Sequence, residues 1–150
     1  MFSERFPRDL LEEVIPLVER QYRVYRDADH RAIAGLSMGG GQALSIGLGH
    51  VDQFGYVLGF SAAIGGQYTS VDDILRSVDA AGGSLNRRLR LLWLSCGRQD
   101  FLFEANRAFL QSLRTKGVTV DYRETEGQHV WSVWRNNLHE AAPLLFRSKP

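Results

Sequence analysis

An almost unbroken apolar run at residues 91–96, with the sequence LLWLSC, constrains the fold of this chain more than any other feature. A strand with one face in water alternates polar and apolar residues, whereas a continuous apolar run is typical of a strand buried on both faces. Parallel sheets covered by helices on both sides bury their strands in this way. The run therefore predicts a protein of the α/β class.

Strand and helix patterns alternate along the rest of the sequence. The hydrophobic spacing predicts further strands at 31–36, 54–60 and 118–124, and helices at 8–22, 38–48, 71–78, 103–115 and 132–146. Pro16 should kink the first helix or delay its start, because proline removes a backbone donor. Joined by right-handed crossovers, these elements predict a mainly parallel sheet with helices on both faces. A chain of 150 residues suits one such unit, so residues 1–150 are predicted to form a single domain.

Composition and charge argue against nucleic acid and membranes as partners of this chain. The chain is 44% hydrophobic and 23% charged, which is typical of a globular protein, and its net charge is +1. The basic cluster at 87–90 matches no nucleic-acid-binding motif, and no apolar stretch approaches the roughly 20 residues that cross a bilayer. We therefore expect neither nucleic acid nor membrane as a partner. Residues 1–7 show no signal-peptide pattern, which indicates a cytoplasmic location if Met1 is the true start; a truncated start would conceal such a signal.

The single cysteine, Cys96, excludes a disulfide within the chain. Because it ends the apolar run, it is interpreted as a buried core thiol. A metal site is not expected, since the chain has no H-E-x-x-H motif and no second cysteine that could help to bind zinc. The glycines at 39–41 do not fit a dinucleotide-binding fingerprint either, and no cofactor is predicted.

A G-x-S-x-G pattern at residues 35–39 lies between a predicted strand and a glycine-rich helix. A serine in this context sits on a tight turn, and the flanking glycines remove Cβ atoms that would clash where strand and helix meet. Ser37 is thus the candidate nucleophile, the alternative being a capping serine in a plain turn. The backbone N–H of Met38, at the helix N-terminus, is a candidate oxyanion-hole donor. Residues 59–63 lack the final glycine of the pattern, so Ser61 is interpreted as strand-end structure.

A serine nucleophile needs a histidine base, and after such a turn the acid and then the histidine follow the serine along the chain. His30 precedes the serine, and His50 follows it with no strand between them to carry the acid. His139 falls inside the last predicted helix. His129 follows the fourth strand in a loop and is the predicted base.

The acid is expected in the loop after the third strand, where Asp100 is the only carboxylate before the next predicted helix. Glu104, one turn into the next helix, is the reserve candidate. Asp is also a favoured helix cap, which is the alternative role for Asp100. A cap would not explain why Ser37, Asp100 and His129 each follow the carboxyl end of a strand, where open α/β sheets place their sites.

Taken in this order, the motifs resemble the esterase D-like branch of the α/β-hydrolases, which includes feruloyl, acetyl-xylan and enterochelin esterases and the mycolyltransferases. The resemblance covers nearly the whole chain and rests on residues 11–24, 31–40, 54–61, 94–100 and 129–134. It is strongest for the feruloyl-esterase subset. It implies a partial α/β-hydrolase fold, with a mainly parallel sheet and helices on both faces.

The resemblance also implies an activity, the hydrolysis of a small-molecule or carbohydrate-linked carboxylic ester without a cofactor. Ser37 would then be the nucleophile, with the Met38 N–H in the oxyanion hole, Asp100 as the orienting acid and His129 as the base. Trp131 would line the substrate pocket, the alternative for this side chain being a core position. Acyl transfer by the same three residues is a second possible reaction.

One departure from the family concerns the start of the chain. Family members carry a long segment ahead of the first predicted helix, which supplies further strands and a second oxyanion-hole donor. Without it, the strand at 31–36 would be an exposed apolar edge, and we expect two copies to pair there as a homodimer. A catalytically impaired remnant is the third functional alternative.

Overall fold

The structure is a computed structural model that describes residues 5–65 and 69–147. Within these residues the strands are β1 (Ala32–Leu36), β2 (Tyr56–Phe60), β3 (Leu91–Gly97) and β4 (Asp121–Thr125). The helices are α1 (Arg5–Arg8), α2 (Ile15–Gln21), α3 (Ser37–Gly49), α4 (Val71–Ala81), α5 (Leu85–Arg88), α6 (Phe103–Thr115) and α7 (Trp131–Ala141). The strands lie in the order β1-β2-β3-β4, and each neighbouring pair is parallel. The predicted α/β architecture with a parallel sheet is confirmed.

Helices cover both faces of the sheet, as predicted. Side chains of α3, α4 and α6 share one buried cluster with Val57 and Leu92, whereas α7 contributes to a second cluster that contains Leu58 and Trp93. Neighbouring residues of β2 and β3 therefore point to opposite faces, and both faces are covered. Every residue of β3 is buried, which confirms the interpretation of the apolar run.

The N-terminal helical segment is longer than the predicted helix. A π-helical stretch at Asp9–Val14 joins α1 to α2, so the segment begins at Arg5. Pro16 is the second residue of α2, which continues directly from the π-helical stretch. The wider π-helical turns directly before it provide room for a ring that would otherwise clash with the preceding turn. The chain therefore accommodates Pro16 by a change of helix type.

The glycine-rich helix α3 packs closely on the sheet and on the loop that follows β2. A Cβ atom on Gly47 would lie 2.6 Å from the side chain of Val57, and one on Gly41 would lie 2.3 Å from the carbonyl oxygen of Ala63. Both distances are too short for any residue but glycine. Glycine at these two positions therefore lets the helix backbone pack closely on the sheet and on the loop.

Several element boundaries differ from the prediction. β4 begins three residues late, because the side chain of Asn86 bonds the backbone of Gly117 and Thr119 and holds this segment outside the ladder. The last helix ends at Ala141, before a 3₁₀ turn that contains Pro143. α4 extends to Ala81, three residues beyond the prediction.

Strand β1 lies at an edge of the sheet, as expected for the strand at 31–36. Beside it, α2 and the segment that follows expose apolar side chains, and a groove of about 300 Å³ separates them from Ile33. We call this region the N-terminal flank; its exposed members are Val14, Leu17, Val18, Tyr22, Val24 and Tyr25. The homodimer expected at this edge stays a prediction.

Two further sequence-based expectations are only partly covered. Residues 1–4 of the segment without a signal-peptide pattern lie outside the described residues, and so do residues 66–68 of the loop after β2. The single domain at 1–150 stays a prediction, although the described strands share one sheet. No helix among the described residues is long and apolar enough to span a bilayer.

Candidate active site

Ser37 follows β1 directly and begins α3, in a backbone conformation with φ of +51°. Residues with a Cβ atom rarely adopt this conformation, and it marks a sharp turn between strand and helix. A Cβ atom on Gly35 would lie 2.1 Å from the carbonyl oxygen of Gly39, so position 35 requires glycine. The prediction that a Cβ atom at position 39 would also clash is wrong, because such an atom would meet no other atom within 4 Å. The close approach therefore involves the side-chain position of Gly35 and only the backbone of Gly39.

The structure brings the three predicted catalytic side chains into one hydrogen-bonded line. His129 Nε2 lies 2.9 Å from Ser37 Oγ, and His129 Nδ1 lies 2.8 Å from Asp100 Oδ2. The Asp100 side chain is fully buried, while the His129 side chain keeps one fifth of its surface exposed. A carboxylate that accepts from Nδ1–H leaves Nε2 as the acceptor for the serine hydroxyl.

Asp100 has a local role as well. Its Oδ1 accepts a hydrogen bond of 2.9 Å from the Leu102 N–H, directly before α6. The N-cap residue of α6 is Leu102, and no side chain caps the helix, so the capping alternative for Asp100 is wrong. One carboxylate oxygen stabilises the turn before α6, and the other faces His129 Nδ1. Glu104, the reserve acid, is exposed on α6 and lies 3.7 Å from Arg107.

The other histidines lie away from this line. His30 pairs with Asp27 at 2.7 Å and stacks on Tyr25 in the N-terminal flank. His50 follows the C-terminal end of α3, opposite the end that carries Ser37. His139 is exposed in the last turn of α7.

The loops that carry the acid and the base are tied to each other. Gln99 Nε2 donates to Glu126 at 2.8 Å, and Gln99 Oε1 accepts from the Gly127 N–H at 2.5 Å. A Cβ atom on Gly97 would lie 2.2 Å from the Gly127 carbonyl oxygen, so the two backbones are in close contact. Sequence reasoning missed these contacts, which keep Asp100 and His129 within hydrogen-bonding distance.

Two aromatic rings flank the imidazole of His129. The Phe101 ring lies 4.6 Å from it, centroid to centroid, and the Trp134 ring lies 4.8 Å from it at an interplanar angle of 85°. Trp134 Nε1 also donates a hydrogen bond of 3.0 Å to Ser61 Oγ. In the sequence Trp134 contributed only to the family resemblance, and its contact with His129 was not predicted. The signal for this contact was its position in the first turn of the helix that follows the predicted base. Trp131, the predicted pocket residue, is 61% exposed at the start of α7, and its role stays a prediction.

Cys96 is buried at the end of β3, as interpreted from the sequence. Burial raises the pKa of its thiol from 9.0 to about 12, so it stays protonated at neutral pH. Among residues 5–65 and 69–147, no three His, Cys, Asp or Glu side chains are grouped so that they could hold a metal ion.

Comparisons with known proteins point to one family. A family model described as "Putative esterase" matches residues 2–145. An acetyl esterase of Caldicellulosiruptor saccharolyticus is 27% identical over an alignment of 167 positions, which covers 93% of this chain and 63% of the relative. An endo-1,4-beta-xylanase/feruloyl esterase of Xylanibacter ruminicola is 27% identical over 146 residues, which cover 97% of this chain and 18% of the relative.

Solved structures agree with these relatives. A ferulic acid esterase matches with a TM-score of 0.80 and 31% identity, over 92% of this chain and 59% of that one. The chain thus spans less than two thirds of the length of each of these three proteins. Because the family model extends over nearly all of its residues, the chain belongs to the esterase family, with part of an α/β-hydrolase fold of the feruloyl esterase-like type.

Proposed function

We propose that this chain carries the site of a carboxylic-ester hydrolase that works through an acyl-enzyme, with Ser37, His129 and Asp100 as its catalytic triad. The observation that carries the proposal is the continuous pair of hydrogen bonds, 2.9 Å and 2.8 Å, from the serine hydroxyl through the imidazole to a buried carboxylate. A serine hydroxyl is a poor nucleophile until a base of this kind removes its proton.

In the first half of the reaction, Ser37 Oγ attacks the ester carbonyl carbon while its proton passes to His129 Nε2. Asp100 stabilises the imidazolium that forms, and it stays ionised throughout. The imidazolium then gives the proton to the alkoxy oxygen, so that the alcohol leaves and the acyl group stays on Ser37. In the second half water takes the place of the alcohol, and the same proton transfers release the acid and restore the serine.

The negative oxygen of the tetrahedral intermediate needs hydrogen-bond donors. The Met38 N–H lies in the first turn of α3, where backbone N–H groups have no partner within the helix and the helix dipole favours negative charge. We assign it as one oxyanion-hole donor. The assignment is supported by its position one residue after the nucleophile.

Exposed apolar side chains adjoin the triad and support a substrate with a flat or apolar acyl group. Phe101 is 71% exposed and contacts the imidazole, and Met38 and Trp131 are exposed within two residues of the nucleophile and the base. The relatives include an acetyl esterase and an endo-1,4-beta-xylanase/feruloyl esterase. We therefore propose acetyl or feruloyl esters, free or linked to carbohydrate, with Trp131 contacting the substrate.

Labelling with a fluorophosphonate probe, read by intact mass, tests the proposal without the natural substrate. We expect one adduct on the unmodified chain and none on Ser37→Ala. Ser45→Ala, in the same helix but away from its N-terminus, is the matched control and should label like the unmodified chain. Absence of an adduct on the unmodified chain would contradict the proposal and would favour the catalytically impaired remnant.

A further inference from the structure

Ser61 occupies the position beside the nucleophile, one strand further into the sheet. Leu36 pairs with Phe60 in the ladder, so Ser37 and Ser61 are the residues that directly follow two neighbouring strands. Both adopt a positive φ, +51° for Ser37 and +43° for Ser61. A side chain held in this strained conformation at the edge of a site suggests that the side chain itself has a use, because glycine would fit without strain.

The hydroxyl of Ser61 contacts the elements on either side of it. Ser61 is fully buried, and its Oγ accepts the hydrogen bond from Trp134 Nε1 in α7. The Cys96 thiol, in β3, lies 3.7 Å from the same oxygen. The Ser61 backbone N–H donates to Ser95 O at 2.7 Å, which fixes the base of the side chain. The oxygen is thus a fixed acceptor for the indole.

The indole in turn contacts the predicted base. Hydrogen bonds at Nδ1 and Nε2 hold the imidazole of His129 at two points, but they leave the ring free to tilt about the line that joins these two atoms. The Trp134 ring, nearly perpendicular to the imidazole, packs against it and restricts that tilt. Phe101, the ring on the other side, is largely exposed and is not held in this way by its surroundings.

We infer that Ser61 and Trp134 are positioning residues: the Ser61 hydroxyl orients the Trp134 indole, and the indole holds His129 at the angle that proton transfer requires. The inference rests on the proposed function and adds two residues to it. Neither residue touches the reacting atoms. Their effect is on how often the imidazole is aligned with Ser37 Oγ.

Two substitutions separate this role from a merely structural one. Ser61→Gly removes the acceptor but relieves the strained backbone, so the variant should fold with little change in thermal stability. Trp134→Phe keeps an aromatic ring beside the imidazole and removes the indole donor. We expect each change to lower kcat for p-nitrophenyl acetate about tenfold, the size of one lost hydrogen bond, with KM unchanged. The double variant should lose no more than either single one, because both changes break the same bond.

Ser95→Ala is the matched control. Ser95 is also buried beside this bond, but its Oγ has no hydrogen-bond partner among the described residues. Its removal should leave kcat unchanged. Folded single variants with unaltered kcat would overturn the inference, and so would a double variant in which the two losses multiply.

A second measurement does not depend on turnover. In ¹⁵N-histidine NMR spectra, we expect the Nδ1 proton of His129 to exchange with solvent at least tenfold faster in Ser61→Gly than in the unmodified chain, because a tilting ring opens its bond to Asp100. Ser95→Ala should not change that rate. If the unmodified chain proved inactive, the proposed hydrolysis would fail, yet the exchange rates would still decide: acceleration in Ser61→Gly supports the positioning role and an equal rate overturns it.

Discussion

The carboxyl end of the sheet and the N-terminal flank differ in how completely their side chains are partnered. At the carboxyl end, Asp100 has a donor for each carboxylate oxygen, and the acid and base loops are bonded to each other. In the flank, by contrast, Tyr22 is 65% exposed and Tyr25 is 72% exposed. Ile15 of α2 packs against the core, and polar contacts, such as those from Arg90 to Asp29 and from Arg31 to Glu19, lie beside the flank.

This difference indicates that the arrangement of Ser37, Asp100 and His129 does not depend on what covers the flank. Each residue of the proposed triad follows β1, β3 or β4, and all three strands belong to the described sheet. The exposed apolar side chains of the flank are not covered by any of the described residues. The predictions below test whether changes at one region leave the other unaffected.

The largest effect is expected from Asp100→Asn. An amide in place of the carboxylate can donate to Nδ1 and so favours the tautomer that cannot accept the serine proton; in a serine triad such a change costs on the order of 10⁴-fold in kcat. Steady-state hydrolysis of p-nitrophenyl acetate measures the loss. Glu104→Gln, at the exposed reserve position, is the control and should retain full activity. A larger loss in Glu104→Gln than in Asp100→Asn would show that the acid has been misassigned.

Gly97→Ala tests the contact between the two loops. The added Cβ atom would lie 2.2 Å from the Gly127 carbonyl oxygen, so the loops must separate, and we expect a loss of about 1–3 kcal/mol in the free energy of unfolding together with lower activity. Urea unfolding and esterase assays on the same samples provide the measurement. Gly83→Ala is the matched control, since a Cβ atom there meets nothing within 4 Å. Equal stability of the two variants would contradict a tight contact at this end of the sheet.

The contrast between the two regions also explains which features of the structure could be predicted from the sequence. The run at 91–96 required a strand covered on both faces. Chain order set aside His30 and His50, and the predicted last helix set aside His139, which left His129 as the candidate base. These signals are local, or depend only on the order of elements. The turn at Ser37 belongs to the same group, because the clash at Gly35 arises from residues only four positions away.

Features that depend on contacts between residues far apart in the sequence could not be predicted from local patterns. The late start of β4 depends on bonds from Asn86, more than thirty positions away. The bond from Trp134 to Ser61 joins residues 73 positions apart, and neither residue type predicts the other. The sequence predicted that Pro16 would kink its helix or delay its start, whereas in the structure a π-helical stretch precedes it. Periodicity and motifs contain no information about such pairings.

Ala34→Lys tests the sheet edge beside the flank. Ala34 is exposed in the middle of β1, and if two copies pair along this edge, a lysine there should raise the dimer dissociation constant at least tenfold. Sedimentation equilibrium over a range of concentrations measures it. Gln111→Lys, on the exposed side of α6, adds the same charge elsewhere and should leave the constant unchanged. The fluorophosphonate labelling rate should be the same in both variants if the site is assembled within one copy; a monomer at all concentrations of the unmodified chain would contradict the dimer.

The smallest effect concerns the buried thiol at the carboxyl end of the sheet. The folded protein holds the Cys96 proton up to about pH 12, whereas in the unfolded chain the thiol ionises near its ordinary pKa of 9.0. Above pH 9.0 the unfolded state binds fewer protons than the folded state, so the free energy of unfolding falls as the pH rises. The contribution of this thiol to stability is fully present only below pH 9.0. Between pH 8 and about pH 9.5 this one group should cost roughly 1 kcal/mol. Urea unfolding of the unmodified chain and of Cys96→Ala at both pH values isolates the contribution, because burial also raises the pKa of Tyr122 but does so in both proteins. An equal decline in the two proteins would mean that the thiol is not sealed from solvent, and that this end of the sheet is more open than its contacts with Ser61 indicate.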